Sequence, residues 1–235
     1  MTGAIDPEQS LGLLAAERPG LTEALEQLRF DYCCGGSQTL AEACRRRGLD
    51  PETVAVLLDG VIDNEARRRV VPHDLRGATL VGLCDHVVSA HHDWLRHELP
   101  RISELLATFV RVHASEHPQL HDLERLFSAL AHDLLEHLER EERQLFWAAR
   151  ALAEGGRVAA ALTRAIDEHA SEHAQTGDAL AALRELAGGY RVDRAYCGTH
   201  RSLLEALDRL ELDLHQHIHE ENNLLFPQLR AVLSQ

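Results

Sequence analysis

Two short stretches of this 235-residue chain repeat each other. His137-Leu-Glu-Arg-Glu141 leads to Leu145-Phe146, and His217-Ile-His-Glu-Glu221 leads to Leu225-Phe226. Both read His-x-x-x-Glu-x-x-x-Leu-Phe, and they lie 80 residues apart. On a helix, positions i and i+4 share a face one turn apart, so each His and Glu can point inward together. A weaker echo joins His92 to His173, 81 residues apart. One inward His and one inward Glu from each of two helices, with further His from two others, make a metal-binding core. Carboxylates can bridge two ions, and imidazoles complete each one. This donor set suits iron, manganese or zinc, and the absence of nearby thiolates disfavours a structural zinc site. A single His-x-x-x-Glu is commonly a solvated ion pair. Two copies in register with the same core-forming Leu-Phe are far less common by chance, and buried His and Glu with nothing to coordinate are costly.

The other histidines sort by spacing. His169 and His173 form an i, i+4 pair; His173 keeps the repeat, and His169 stands as a further candidate ligand. His91 and His92 project about 100° apart on a helix, so one of them is expected to face the core, and the repeat offset selects His92. His86, His97, His132, His215 and His219 flank candidate positions without a repeat partner. His113 lies 21 residues beyond His92, about 31 Å along a continuous helix, and is left out of the ligand set. His117 and His121 read as surface. Glu142, Glu168, Glu172 and Glu220 are candidates to orient the imidazoles.

The elements that must position these residues are helices. Gly and Pro are scarce, Ala, Leu, Glu and Arg dominate, and no alternating strand pattern appears. The reading is all-α. Short helices are expected near Ser10–Leu14, from Leu21 to about Phe30, and from about Ser37 to Arg47. Another starts at the Asp50 cap with Pro51 and runs to about Val70. Pro72-His73-Asp74 reads as a linker. Longer helices come after it at 79–113 (bent or broken at Pro100), 118–153, 157–187 and 199–233. Gly155-Gly156 and Gly188-Gly189 mark two of the connections. Four long helices with short links predict an up-down bundle, and an offset of two helices gives it an approximate two-fold axis. The expected domains are 1–72 and 77–235.

Acids outnumber bases, 38 to 24, for a net charge of −14. That balance argues against a nucleic-acid backbone or an anionic membrane surface as partner. The first residues lack a secretory pattern, and no run approaches the ~20 apolar residues of a membrane span. Five irregularly spaced cysteines make a poor disulfide framework and point to the reducing cytoplasm. Cys33 and Cys34, beside the Gly35-Gly36 turn, are expected as two free thiols, either reactive or simply small and apolar.

These residues resemble a known family. The His/Glu set over residues 79–233 resembles a hemerythrin-like domain, a four-helix bundle with a non-haem di-iron centre. Phe30-Asp31-Tyr32-Cys33-Cys34-Gly35-Gly36, with Gln38-Thr39-Leu40 after it, resembles the small domain ahead of that bundle in iron–sulfur cluster repair di-iron proteins. Glu221-Asn222-Asn223-Leu-Leu-Phe-Pro is similar to the same family. The resemblance implies His92, His137, His173 and His217 as terminal ligands of two irons, with Glu141 and Glu221 as bridges. His169 departs from the repair pattern and matches the paired histidines of oxygen-carrying hemerythrins. Trp147 stands where the second copy has Pro227.

The function so implied is repair of iron–sulfur clusters damaged by nitric oxide or oxidants, through iron donation, nitric oxide reduction, or both. Damaged iron–sulfur proteins would be the clients and nitric oxide or oxygen the small ligands. Cys33 and Cys34 would transfer iron, accept electrons or touch the client. The alternative is an oxygen or nitric oxide binder, sensor or iron store on the same bundle, with no need of residues 1–70. A metal-free helical interaction protein is the third reading. The residues leave open whether the centre turns over as an enzyme, and the oligomeric state.

Overall fold

The computed structural model describes residues 4–68, 75–156 and 161–234. The expected linker Pro72-His73-Asp74, the expected end near Val70 and the expected start at 157 lie outside the described residues. Among the described residues the chain is helical, with one isolated bridge between Ser10 and Thr39. It divides into two compact units, one of Met1–Leu83 with Ile218–Gln235 and one of Cys84–His217.

The first unit contains α1 (Leu11–Glu17), α2 (Thr22–Gln27), α3 (Leu40–Arg46) and α4 (Pro51–Arg68). The expected Asp50 cap forms, with its carboxylate accepting from the Thr53 N–H at 2.8 Å. The start of α3 is later than expected because Thr39 and Glu42 close a reciprocal capping box. Leu11, Leu14, Leu21, Leu25, Leu40, Cys44 and Leu58 are buried in one core. The C-terminal residues belong here too, as α11 (Phe226–Leu233) and the π turn Glu221–Leu225 before it.

The second unit takes its core from α6 (Asp93–His113), α7 (Leu120–Glu141), α9 (Ala161–Leu186) and α10 (Gly198–Glu220). Leu99, Ile102, Phe127, Leu138, Leu183, Leu207 and Leu210 interleave there. Their i, i+3, i+4 spacing is the apolar stripe of a packed bundle helix. α5 (Leu80–Val87) precedes α6, and α8 (Trp147–Ala153) comes after α7. Of the expected bend or break at Pro100, the break does not occur: α6 runs through it. The irregularity lies instead at the π turn Val88–His92.

Candidate metal centre

Three helical stretches that carry candidate ligands contain a five-residue π turn beside them. Val88–His92 ends on His92, Glu142–Phe146 starts after Glu141, and Glu221–Leu225 starts on Glu221. A π turn takes up an extra residue and rotates the next stretch of helix, and it tends to sit at functional positions. It corrects one expectation: both His91 and His92 are buried, because the wider turn admits two successive residues to the interior.

Inside the second unit the imidazoles meet in pairs. Nε2 of His92 lies 3.2 Å from Nε2 of His217, and Nε2 of His137 lies 3.3 Å from Nε2 of His173. The Nδ1 of His92 bonds Glu142 at 2.7 Å, and Nδ1 of His137 bonds Glu172 at 2.7 Å. A carboxylate there holds the proton on Nδ1, so the Nε2 lone pair faces the partner imidazole. Arg96 braces Glu142 and Arg140 braces Glu172. Burial would lift both carboxyls, but the His and Arg donors hold them below the usual carboxylate range. Glu142 and Glu172 are two of the four candidates to orient imidazoles.

Glu141 ties the pairs together. It is fully buried, with Oε2 at 3.5 Å from His92 Nε2 and 3.8 Å from His137 Nε2. Among the described residues neither carboxylate oxygen has a hydrogen-bond partner. A buried carboxylate without donors is costly, and a cation between it and the lone pairs removes the cost. Two nitrogens each about 2.1 Å from one ion stand about 3 Å apart, as these do. His92, Glu141 and His217 form one group of converging ligand atoms, and His137, Glu141 and His173 a second. The residues therefore fit a pair of ions sharing Glu141. Glu221, one turn beyond His217, is also fully buried.

His169 is buried beside His137, ring centroids 4.8 Å apart, but it groups with His137 and Glu172 rather than with Glu141. His91 bonds Asp213 at 2.9 Å and stacks on His217, a support that the spacing did not reveal. Phe146, from the repeated Leu-Phe, stacks on His92. Beside His137 a surface groove lined by Asp133, Arg140, Glu172 and Thr176 opens to solvent. His113 lies away from these groups, with its Nε2 3.6 Å from Cys197. His117 is half-buried and stacks on Tyr196 instead of standing clear at the surface.

In the first unit Cys33 and Cys34 are thiols rather than a disulfide, their sulfurs 3.8 Å apart. Asn222, directly after Glu221, bonds the Cys33 carbonyl at 3.3 Å, and Asn223 bonds the Tyr32 carbonyl at 3.4 Å. Gly12 and Gly36 make room for Asn223: a Cβ on Gly12 would lie 2.2 Å from its Oδ1. The Asn pair was visible in the sequence as a motif, but nothing local assigned its partner.

Comparison with known proteins agrees with this arrangement. The profile described as "Hemerythrin HHE cation binding domain" matches residues 85–229, and ScdA_N, a "Domain of Unknown function (DUF542)", matches residues 7–61. A Pectobacterium atrosepticum protein named iron-sulfur cluster repair protein YtfE is 32% identical, over 94% of this chain and 96% of its own. A protein of the same name from Escherichia coli is 30% identical, over 95% and 97%. One from Salmonella paratyphi B is also 30% identical, over 95% and 97%. The chain thus belongs to the hemerythrin HHE cation-binding family, in the group that carries a DUF542 segment ahead of that domain.

Proposed function

We propose that this protein repairs iron–sulfur clusters damaged by nitric oxide or oxidants, in the cytoplasm, using a non-haem di-iron centre. The observation that carries the metal part is the buried, donorless Glu141 carboxylate set between two facing imidazole pairs. The names of the relatives support the repair part. In this reading His92 and His217 hold one ion and His137 and His173 the other. Glu141 and Glu221 bridge, and the His217–Glu221 spacing repeats that of His137–Glu141. His169, buried beside His137, is a further candidate ligand. Residues 1–72 act as the cysteine-bearing domain and 77–235 as the metal-bearing one.

When bound, the di-iron centre supplies reducing equivalents and open positions for nitric oxide, or ferrous iron for a damaged cluster. The chain's own residues do the rest. Glu142 and Glu172 fix the imidazole tautomers through Nδ1. Phe146 covers the His92 face and keeps water from it. The groove beside His137 offers a small ligand a path. Client iron–sulfur proteins meet Cys33 and Cys34, which sit in a loop bonded to the two residues after Glu221. That bonding favours repair over a plain oxygen carrier, which has no use for the loop.

The test replaces both cysteines by Ala. Iron in the histidine bundle should stay at the wild-type level while restoration of a nitric oxide-damaged cluster protein falls. Unimpaired restoration would remove the cysteines from the mechanism.

A further inference from the structure

The loop that carries the two cysteines brings a third donor with them. Asp31 Oδ1 lies 3.4 Å from Cys33 Sγ and accepts the Cys34 N–H at 2.9 Å. Cys33 Sγ lies 3.8 Å from Cys34 Sγ. One ligand atom from each of Asp31, Cys33 and Cys34 falls within 4.8 Å of the others. Two sulfurs each about 2.3 Å from one tetrahedral ion stand about 3.8 Å apart, and a sulfur and an oxygen about 3.6 Å. The Cys33–Cys34 and Asp31–Cys33 pairs already stand near these spacings. The Asn222 and Asn223 bonds to the Cys33 and Tyr32 carbonyls fix its backbone. Gly35 lets Asp31 fold inward, since a Cβ there would lie 2.8 Å from Asp31 Oδ2.

We propose that Asp31, Cys33 and Cys34 form a second, mononuclear cation site with three protein ligands and one open position, suited to a borderline or soft divalent ion. On binding, the two thiol protons leave to solvent and the thiolates and carboxylate coordinate the ion; no oxidation is involved. Asp31 is exposed and Cys34 half-buried, so the ion and a client ligand have access from outside.

The convergence of Asp31 with the two sulfurs favours a cation in this loop. The Cys33 thiol is pushed up by its hydrogen bond with Cys34, by burial, and by the negative charge of Cys34 and Asp31. A divalent ion reverses that balance, because the neighbours that repel a lone thiolate attract the metal. A transfer role, with ferrous iron passing through this site to a client, rests on the iron-donation reading above; the site itself does not.

The experiment is a cobalt(II) titration of the reduced, anaerobic full-length chain. One equivalent should bring up thiolate-to-cobalt charge-transfer absorption in the near ultraviolet. Cys33→Ser and Cys34→Ser should each abolish or strongly reduce it. Asp31→Asn should weaken binding at least as much as the roughly tenfold loss known for an outer-sphere partner. Glu141→Ala, which removes the bridge of the histidine centre, should leave the band in place. No band in the wild type, or a band that survives both serine variants, overturns the site. The transfer role fails separately if Cys34→Ser loses the band yet still delivers iron to an apo iron–sulfur protein at the wild-type rate.

Discussion

At the scale of single residues, the account turns on how a buried acid is satisfied. Glu141 has no donor of its own, so Glu141→Ala should lose bound metal rather than merely loosen the bundle. The supporting carboxylates predict a graded effect. Glu172→Gln leaves His137 in place but weakens the bond that fixes its tautomer, so metal affinity should fall by about 10- to 100-fold with the helix content unchanged. Unchanged metal affinity would remove Glu172 from the support. His219 predicts a pH effect. Burial holds its imidazole at about 4 instead of 6.5. Above pH 6.5 it is neutral folded or unfolded and costs nothing. As pH falls from 6.5 towards 4 the unfolded chain binds the proton first, and the fold loses up to about 1.4 kcal/mol per pH unit. Urea unfolding of the metal-free chain should show that slope, reduced in His219→Gln; equal slopes would exclude His219 as its source. Four histidines and Glu141 could be placed together from the sequence because i, i+4 spacing and an 80-residue repeat are local signals. The Asp213 support for His91 and the choice of Glu142 and Glu172 came only from packing between helices.

At the scale of elements, helix positions were readable and their irregularities were not. Helical propensity and the glycine breaks set the continuous helical stretches 80–113, 120–153 and 198–233 to within a few residues. The three π turns have no local signature, because each hydrogen-bond register slips by one residue without a change in composition. They matter most where a ligand and a core residue must both face inward. Phe146 ends one such turn and stacks on His92. Phe146→Ala should therefore cost about 3–5 kcal/mol in thermal or denaturant unfolding and also weaken metal retention. A loss of stability with full metal retention would separate the turn from the site.

At the scale of the whole molecule, the acidic surplus stays mostly a solvating surface, and no described helix is long and apolar enough to cross a membrane. The units do not respect chain order, since Ile218–Gln235 belongs with the N-terminal residues. Within that unit α1 packs against the Glu221–Leu225 turn, and Tyr32 lies edge-on to His219. Deleting residues 1–61 should thus lower the thermal unfolding temperature as well as remove the thiols. A truncated chain as stable as the full one would contradict that packing. Sequence spacing cannot show such an exchange, because it links positions nearly two hundred residues apart through backbone carbonyls and Asn side chains. The central claim is that two ions share Glu141 among four histidines. Metal analysis with Mössbauer spectroscopy of the anaerobically purified chain tests it most directly. About two irons per chain as a coupled pair, lost in the Glu141→Ala, Glu221→Ala double variant, is the result expected. A chain that takes up no metal, or a double variant that keeps both irons, would contradict it.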